Sequence, residues 1–518
     1  MPNPPPKSLA DKVAQLLSVR IGSNLPPTKS ATDDELRVAE IVRHCPIGGL
    51  ILFNGVWPDV GGTLQRLQHA SRWPLLVVAD LERGAGQQVR GLTRFPHAAA
   101  FRGCGELAEE AVAVMAELTA RQAAGAGVHG NLSPVADVNS NPTNPIIATR
   151  AYADSPADTE PLVRAFVRGA AAAGSVSCAK HFPGHGDTQQ DSHATLPVVD
   201  KTLDELGAVE LPPFRAAIAA GVPMIMTAHV AYPALDPTGA PATVSAPILR
   251  GLLREQMGFT GVVCSDSLLM AGVRDRFDSE GQAVVAAIRA GVDLQLDVAD
   301  PNRVLDEVVR AVEAGDLEER LVDEAFQRVW RLKTGVLAAH PGEAPDPQAY
   351  ESRAAELADR VATSAIRWRL PADTEPPRLT SPAPAIALLR GQRLPTDAPV
   401  APLLAEVQGR LPDARTFELT AQSDPAEFEA ALAALKSADE ALLALVVKPA
   451  AWQAFGLDDK QRGFVERVVA DVPDPIIASL GSPTVLADFP DRLRCVVTYS
   501  DELVSQRALA SALAPRDA

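Results

Sequence analysis

Over its first 340 residues the chain alternates short β-branched or Leu-rich runs with longer Ala-, Leu- and Arg-rich segments. Residues 16–21, 48–53, 74–80, 127–137, 176–182, 224–230, 261–268 and 293–297 read as strands. Between them, segments such as 157–173 and 205–220 place apolar residues three and four apart, the spacing of an amphipathic helix. Gly174, Gly221 and Gly291 each follow such a segment, where a glycine in the left-handed conformation is expected to end a helix. Strands that alternate with helices pair in parallel through right-handed crossovers. Eight such units predict an α/β fold that begins with a (β/α)8 barrel, assigned to residues 1–370.

Residues 371–384 (PADTEPPRLTSPAP) hold five prolines and read as a linker. The strand–helix pattern then resumes, with strands expected at 385–389, 441–447, 476–480 and 495–499. Residues 385–518 are long enough for their own core and a small α/β sandwich. A chain of 518 residues is therefore expected to form two domains, because the barrel takes most of its length.

Composition narrows the partners. The chain carries 48 Lys and Arg against 65 Asp and Glu, a net charge of -17. A surface that tracks phosphates needs clustered positive charge, so no nucleic-acid partner is expected. The five cysteines are scattered without a CxxC pair, and Cys178 and Cys264 sit in apolar runs as small core residues. The N-terminus (MPNPPPKSLADK) has no apolar stretch, and no 18-residue uncharged apolar run follows. The expectation is a cytoplasmic protein without a membrane partner. The oligomeric state is not legible.

Polar residues collect at the carboxyl ends of the expected strands: Asp80, Asp137, Lys180, His181, His229 and Asp266. In a barrel these ends converge on one face, where active sites lie. One such residue alone most simply caps the next helix. Two histidines and a lysine among them do not fit an account by capping alone. The richest stretch is 180–193, KHFPGHGDTQQDSH, with three histidines, two aspartates and a lysine. Its two glycines and proline make it a loop. Asp191 stands two residues from His193, where a carboxylate can orient an imidazole and raise its pKa. His181, His185 and His193 offer imidazoles for zinc, but their spacing matches no common ligand pattern and the loop lacks cysteine. No metal and no cofactor is expected. Asp266 ends a buried apolar strand, so it either caps a helix or faces a substrate.

These residues resemble a known family. Residues 180–186 (KHFPGHG) followed by Asp191-Ser192-His193 are similar to the signature of the β-N-acetylglucosaminidase branch of glycoside hydrolase family 3. Supporting matches are 48–53 (GGLILF), Asp80-Leu81-Glu82, 131–138 (NLSPVADV), 144–152 (NPIIATRAY), 226–230 (MTAHV) and 258–270 (GFTGVVCSDSLLM). The resemblance covers the barrel, and only in outline the second unit. It implies a retaining exo-β-N-acetylglucosaminidase acting on terminal, non-reducing β-linked N-acetylglucosamine, with muropeptide fragments as one substrate source. Asp266 would be the nucleophile, and His193 the acid/base with Asp191 as its partner. Asp80, Arg150, Lys180 and His181 would bind the sugar, with Arg90 a further candidate. The chain departs from the family pattern at 81–90 (LERGAGQQVR), at Ala148, at Ala151-Tyr152, and at Ser267, where some members carry a second aspartate. Three alternatives stay open. A histidine acid/base repels phosphate less than a glutamate, so a phosphorylase is compatible. A β-glucosidase and a non-catalytic sugar-binding protein are the others.

Overall fold

A computed structural model describes residues 4–189, 195–339, 345–391, 399–447, 457–487 and 489–514. The chain divides into two compact units. The first comprises Met1–Arg94, Glu109–Asn144 and Ala151–Ala355. The second comprises Phe95–Ala108, Pro145–Arg150 and Glu356–Ala518.

The first unit contains a curled, all-parallel sheet of seven strands in sequence order: β1 (Ser18–Ile21), β2 (Gly49–Leu52), β3 (Leu76–Ala79), β4 (Gly130–Asn131), β5 (Val176–Phe182), β6 (Met224–Thr227) and β7 (Val262–Cys264). Residues 293–298 close it. Leu294 bridges Cys264 on one side, and Gln295 bridges Leu17 on the other. The eighth strand expected at 293–297 is thus reduced to single bridges. The Asp293 carboxylate takes the Val263 N–H at 2.8 Å, and Asp297 turns into the left-handed region (φ 65°). Backbone hydrogen bonds still tie the segment to both neighbours, Gln295 N–H to Leu16 O at 2.8 Å and Ser265 N–H to Leu294 O at 3.0 Å. β4 is also shorter than expected, because Pro134 has no N–H to donate to a ladder. The expected helix at 205–220 is two, Leu203–Ala208 and Leu211–Ala219, with Pro212 and Pro213 opening the second. Gly174, Gly221 and Gly291 do take positive φ. Apolar residues of β1–β3, among them Val19, Leu50 and Val77, are buried together with the helices around them in one core. Cys178 and Cys264 are buried in it as free thiols, their sulfurs 3.7 Å apart.

The second unit holds a six-stranded sheet of β8 (Arg367–Arg369), β9 (Ala385–Arg390), β10 (Arg415–Leu419), β11 (Ala441–Val446), β12 (Ile476–Ser479) and β13 (Arg494–Val497). Its order is β8-β13-β12-β11-β9-β10, and only β8 is antiparallel. Successive residues of β9 enter opposite cores: Ala385, Ala387 and Leu389 one, Ile386 and Leu388 the other. A strand buried on both faces reads as a continuous apolar run, which is why the central strands were legible. The edge strands β8 and β10 are short or charged and were not expected. The Pro-rich stretch belongs to this unit. Leu379 is buried in its core, and its N–H donates to Leu513 O at 2.7 Å. No helix among the described residues is long and apolar enough to cross a membrane.

Candidate active site

The site is built at the carboxyl ends of β3, β5 and β7 and the segment after β4, all in the first unit. Successive strand residues normally point to opposite faces. Between Ala179 and Phe182 the β5–β6 register slips, and such an irregularity re-aims side chains. Lys180 and His181 are adjacent in sequence, yet both are buried and both enter the same cluster.

Lys180 Nζ lies 2.6 Å from Asp80 Oδ1 and 2.8 Å from Glu82 Oε1. One buried cation therefore stands between two carboxylates, and Asp80 still exposes 26% of its side chain. His181 Nδ1 is 2.7 Å from Asp137 Oδ2, and its Nε2 is 4.0 Å from Asp266 Oδ2. Asp137 also accepts the backbone N–H of His181 (3.1 Å) and of His185 (2.7 Å). Burial alone would raise the Asp137 pKa. The His181 imidazole and these amide donors outweigh burial and hold the carboxyl below its usual range. A carboxylate so held fixes the face that His181 presents to Asp266.

Asp266 follows β7 with its side chain 22% exposed, the open end of this chain of contacts. Its Oδ1 accepts the Ser267 N–H at 2.7 Å. His229 is buried. Its Nε2 donates to the Ser267 carbonyl at 3.0 Å, and its Nδ1 meets Thr243 Oγ1 at 2.7 Å.

The loop after β5 packs tightly at its base. A Cβ on Gly186 would lie 1.6 Å from Val138 O, and one on Gly184 2.6 Å from the Glu210 Cβ. Tyr232 Oη donates to Gly184 O at 2.5 Å. Glu210 is fully buried beneath this turn, and its Oε1 accepts from Lys201 Nζ (3.1 Å) and Ser140 Oγ (3.2 Å). Its Oε2 is buried without a hydrogen-bond partner among the described residues. Burial pushes this carboxyl up to about 7, against the pull of Lys201.

The structure thus pairs Lys180 with Asp80 and brings His181 beside Asp266, a cluster joined through the Lys180–His181 peptide bond. Arg90 is exposed on the short strand Val89–Arg90, with no contact to that cluster among the described residues. Arg150 falls in the second unit, where its Nη1 donates to Ile146 O at 3.2 Å. Asp191 and His193 lie outside the described residues. Sequence reasoning gave Glu82 no role and treated Asp137 only as a strand end. The signal for both was position, at or just past the end of a barrel strand.

Comparison with known proteins decides the family. Residues 8–332 match the N-terminal domain of glycosyl hydrolase family 3. The chain belongs to glycosyl hydrolase family 3. It is 38% identical over 262 residues to a β-hexosaminidase of Methylococcus capsulatus, an alignment covering 49% of this chain and 76% of that one. It is 33% identical over 334 residues to β-hexosaminidase A of Pseudoalteromonas piscicida, covering 57% of this chain and 55% of that enzyme's length. Among solved structures, a family 3 β-N-acetylglucosaminidase from Paenibacillus superposes with a TM-score of 0.83 at 28% identity, over 99% of this chain and 97% of that one. The α/β barrel and following α/β domain are therefore those of a family 3 glycoside hydrolase.

Proposed function

We propose that this family 3 enzyme is a retaining exo-β-N-acetylglucosaminidase that removes terminal, non-reducing β-linked N-acetylglucosamine. The observation that carries the reading is the Asp266 carboxylate, part-exposed at the barrel mouth and 4.0 Å from His181 Nε2, in a cluster whose Lys180 is held between Asp80 and Glu82. Asp266 attacks the anomeric carbon and forms a covalent glycosyl-enzyme. His193, partnered by Asp191, protonates the departing oxygen and then takes a proton from water. Asp80, Lys180 and His181 hold the sugar hydroxyls, with Glu82 setting the position of Lys180. Cell-wall fragments with a terminal N-acetylglucosamine are the substrate class that suits a cytoplasmic enzyme.

A panel of aryl β-glycosides differing only at C2, run with and without inorganic phosphate, tests sugar and acceptor together. The expected result is preferred cleavage of the N-acetylglucosaminide to the free sugar in both arms. Equal rates on the glucoside, or a sugar 1-phosphate in the phosphate arm, would overturn the assignment.

A further inference from the structure

The barrel seam lies where 293–298 runs between β7 and β1, tied to them by backbone hydrogen bonds such as Gln295 N–H to Leu16 O (2.8 Å) and Ser265 N–H to Leu294 O (3.0 Å). Between β7 and β1 the segment 293–298 makes one bridge to each neighbour, Cys264↔Leu294 and Leu17↔Gln295. Asp266 stands at this seam, two residues beyond β7. Side chains add to this backbone pairing. Arg20 on β1 reaches Asp297 with two guanidinium nitrogens, Nε to Oδ1 at 3.0 Å and Nη2 to Oδ2. Ser267 Oγ donates to the same Asp297 Oδ2 at 2.6 Å. The Arg20 guanidinium rests on the Phe53 ring, 4.7 Å from its centroid. Ser267 is also the residue whose N–H meets Asp266 Oδ1, and whose carbonyl takes the His229 proton.

We propose that Arg20, Asp297 and Ser267 form a clamp across the barrel seam that positions the Asp266 carboxylate, with Asp297 and Arg20 as positioning residues. This rests on Asp266 being the nucleophile. An aspartate at 267, as in some family members, would set its carboxylate against that of Asp297, whereas the Ser267 hydroxyl donates to it. Asp297 is buried and takes a left-handed backbone, so its carboxylate is presented from a turn rather than from a ladder. Arg20 balances its charge, so the clamp adds almost no net charge beside Asp266.

That balance makes the clamp separable from a merely structural contact. Among the described residues, the other charged and titratable groups near Asp266 include Lys180 and His181 on β5, Cys264 on β7 and His229 after β6, and Glu280 lies within electrostatic reach of Asp297. Asp137, Asp80 and Glu82 lie one contact further, and Arg37, which donates to Arg20 O, lies behind the clamp. None of these changes in the variants below. In D297N the Arg20 charge is left unbalanced, which favours ionised Asp266. In R20Q the Asp297 charge is left unbalanced, which disfavours it.

The test is kcat and kcat/KM against pH for wild type, D297N, R20Q, the double variant and S267A, on phenyl and 4-nitrophenyl N-acetylglucosaminides. The acid limb of kcat/KM reports the ionisation of the free enzyme's nucleophile. Misplacing a reacting group by about 1 Å costs about 10²-fold, so the expected loss in kcat for D297N is about 10- to 100-fold, with KM within about twofold. The acid limb should move to lower pH in D297N and to higher pH in R20Q. It should return in the double variant while kcat stays low. S267A changes no charge and should lower kcat by a smaller factor with the limb unmoved. Unchanged kcat in D297N and S267A, or limbs that shift in the same direction in D297N and R20Q, would overturn the clamp. Wild-type inactivity on every aryl N-acetylglucosaminide would instead overturn the functional reading on which it rests.

Discussion

Lys180 and Lys333 are both withdrawn from water in the barrel unit, at 2% and 0% exposure, yet their surroundings are opposite. Lys180, at the carboxyl end of β5, lies between two carboxylates that keep some contact with solvent. Lys333, on the helix Glu319–Ala339, lies toward the amino end of β2. Among the described residues it meets only the Gln15 amide oxygen and, at 3.5 Å, the Gly48 carbonyl, with the Trp330 ring 5.0 Å away. Burial pulls Lys333 down to about 7 because no opposite charge offsets it. Under the proposed function, the buried cation that recruits carboxylates at a strand end belongs to the site. One that settles for neutral partners belongs to the scaffold.

Substituting the two lysines is the sharpest way to break that contrast. Lys180→Met should lower kcat/KM by about 10²-fold or more, since it removes a charged hydrogen-bond donor to substrate and leaves Asp80 and Glu82 facing each other. Stability should fall by about 3 kcal/mol, the low end for breaking a buried pair, because Asp80 remains partly hydrated. Steady-state kinetics and denaturant unfolding check both. Equal activity in the variant would remove Lys180 from the site.

Lys333→Met should leave kcat/KM unchanged and raise stability by about 1–2 kcal/mol at neutral pH and below. The sign follows from linkage. Between about 7 and 10.5 the unfolded chain binds a proton at Lys333 that the folded chain does not, so wild-type stability rises with pH across that window. The advantage of the methionine variant should therefore shrink from pH 6.5 to pH 9.5. A constant advantage would mean that Lys333 keeps an ordinary pKa.

The smallest effect is expected at Glu210, the acidic counterpart. Its folded pKa of about 7 lies above the unfolded 4.5, so the folded state holds the extra proton between these values, and stability falls as pH rises through them. Glu210→Gln should gain stability relative to wild type at pH 8 compared with pH 5, by about 1 kcal/mol given the opposing pull of Lys201. Thermal unfolding at the two pH values measures it. A larger gain at pH 5 would reverse the assigned direction.

Much of this was legible in the chain. Seven barrel strands were found because a buried parallel strand is a local apolar run, and Asp80, Lys180, His181 and Asp266 because they end such runs. The eighth strand was not legible as single bridges, because the carboxylates that interrupt it find partners far apart in sequence. Asp293 accepts from Val263 N, and Asp297 pairs with Arg20 on the neighbouring strand β1. The split at Pro212-Pro213 was written in the sequence, but the flanking apolar spacing masked it. Pairings such as Asp137 with His181 and Lys180 with Asp80 join residues far apart in sequence. Only the order of the strands around the barrel brings them together, so a single sequence names the participants without naming the pairs.

The central claim is that Asp266 is the residue that carries the sugar. Incubating the enzyme with a slow, activated aryl glycoside that accumulates the glycosyl-enzyme, then digesting and weighing the peptides, tests it directly. One added glycosyl mass is expected on the peptide containing Asp266, and none in Asp266→Ala, whose turnover should be nearly abolished. Label on another residue, or normal turnover by Asp266→Ala, would contradict it.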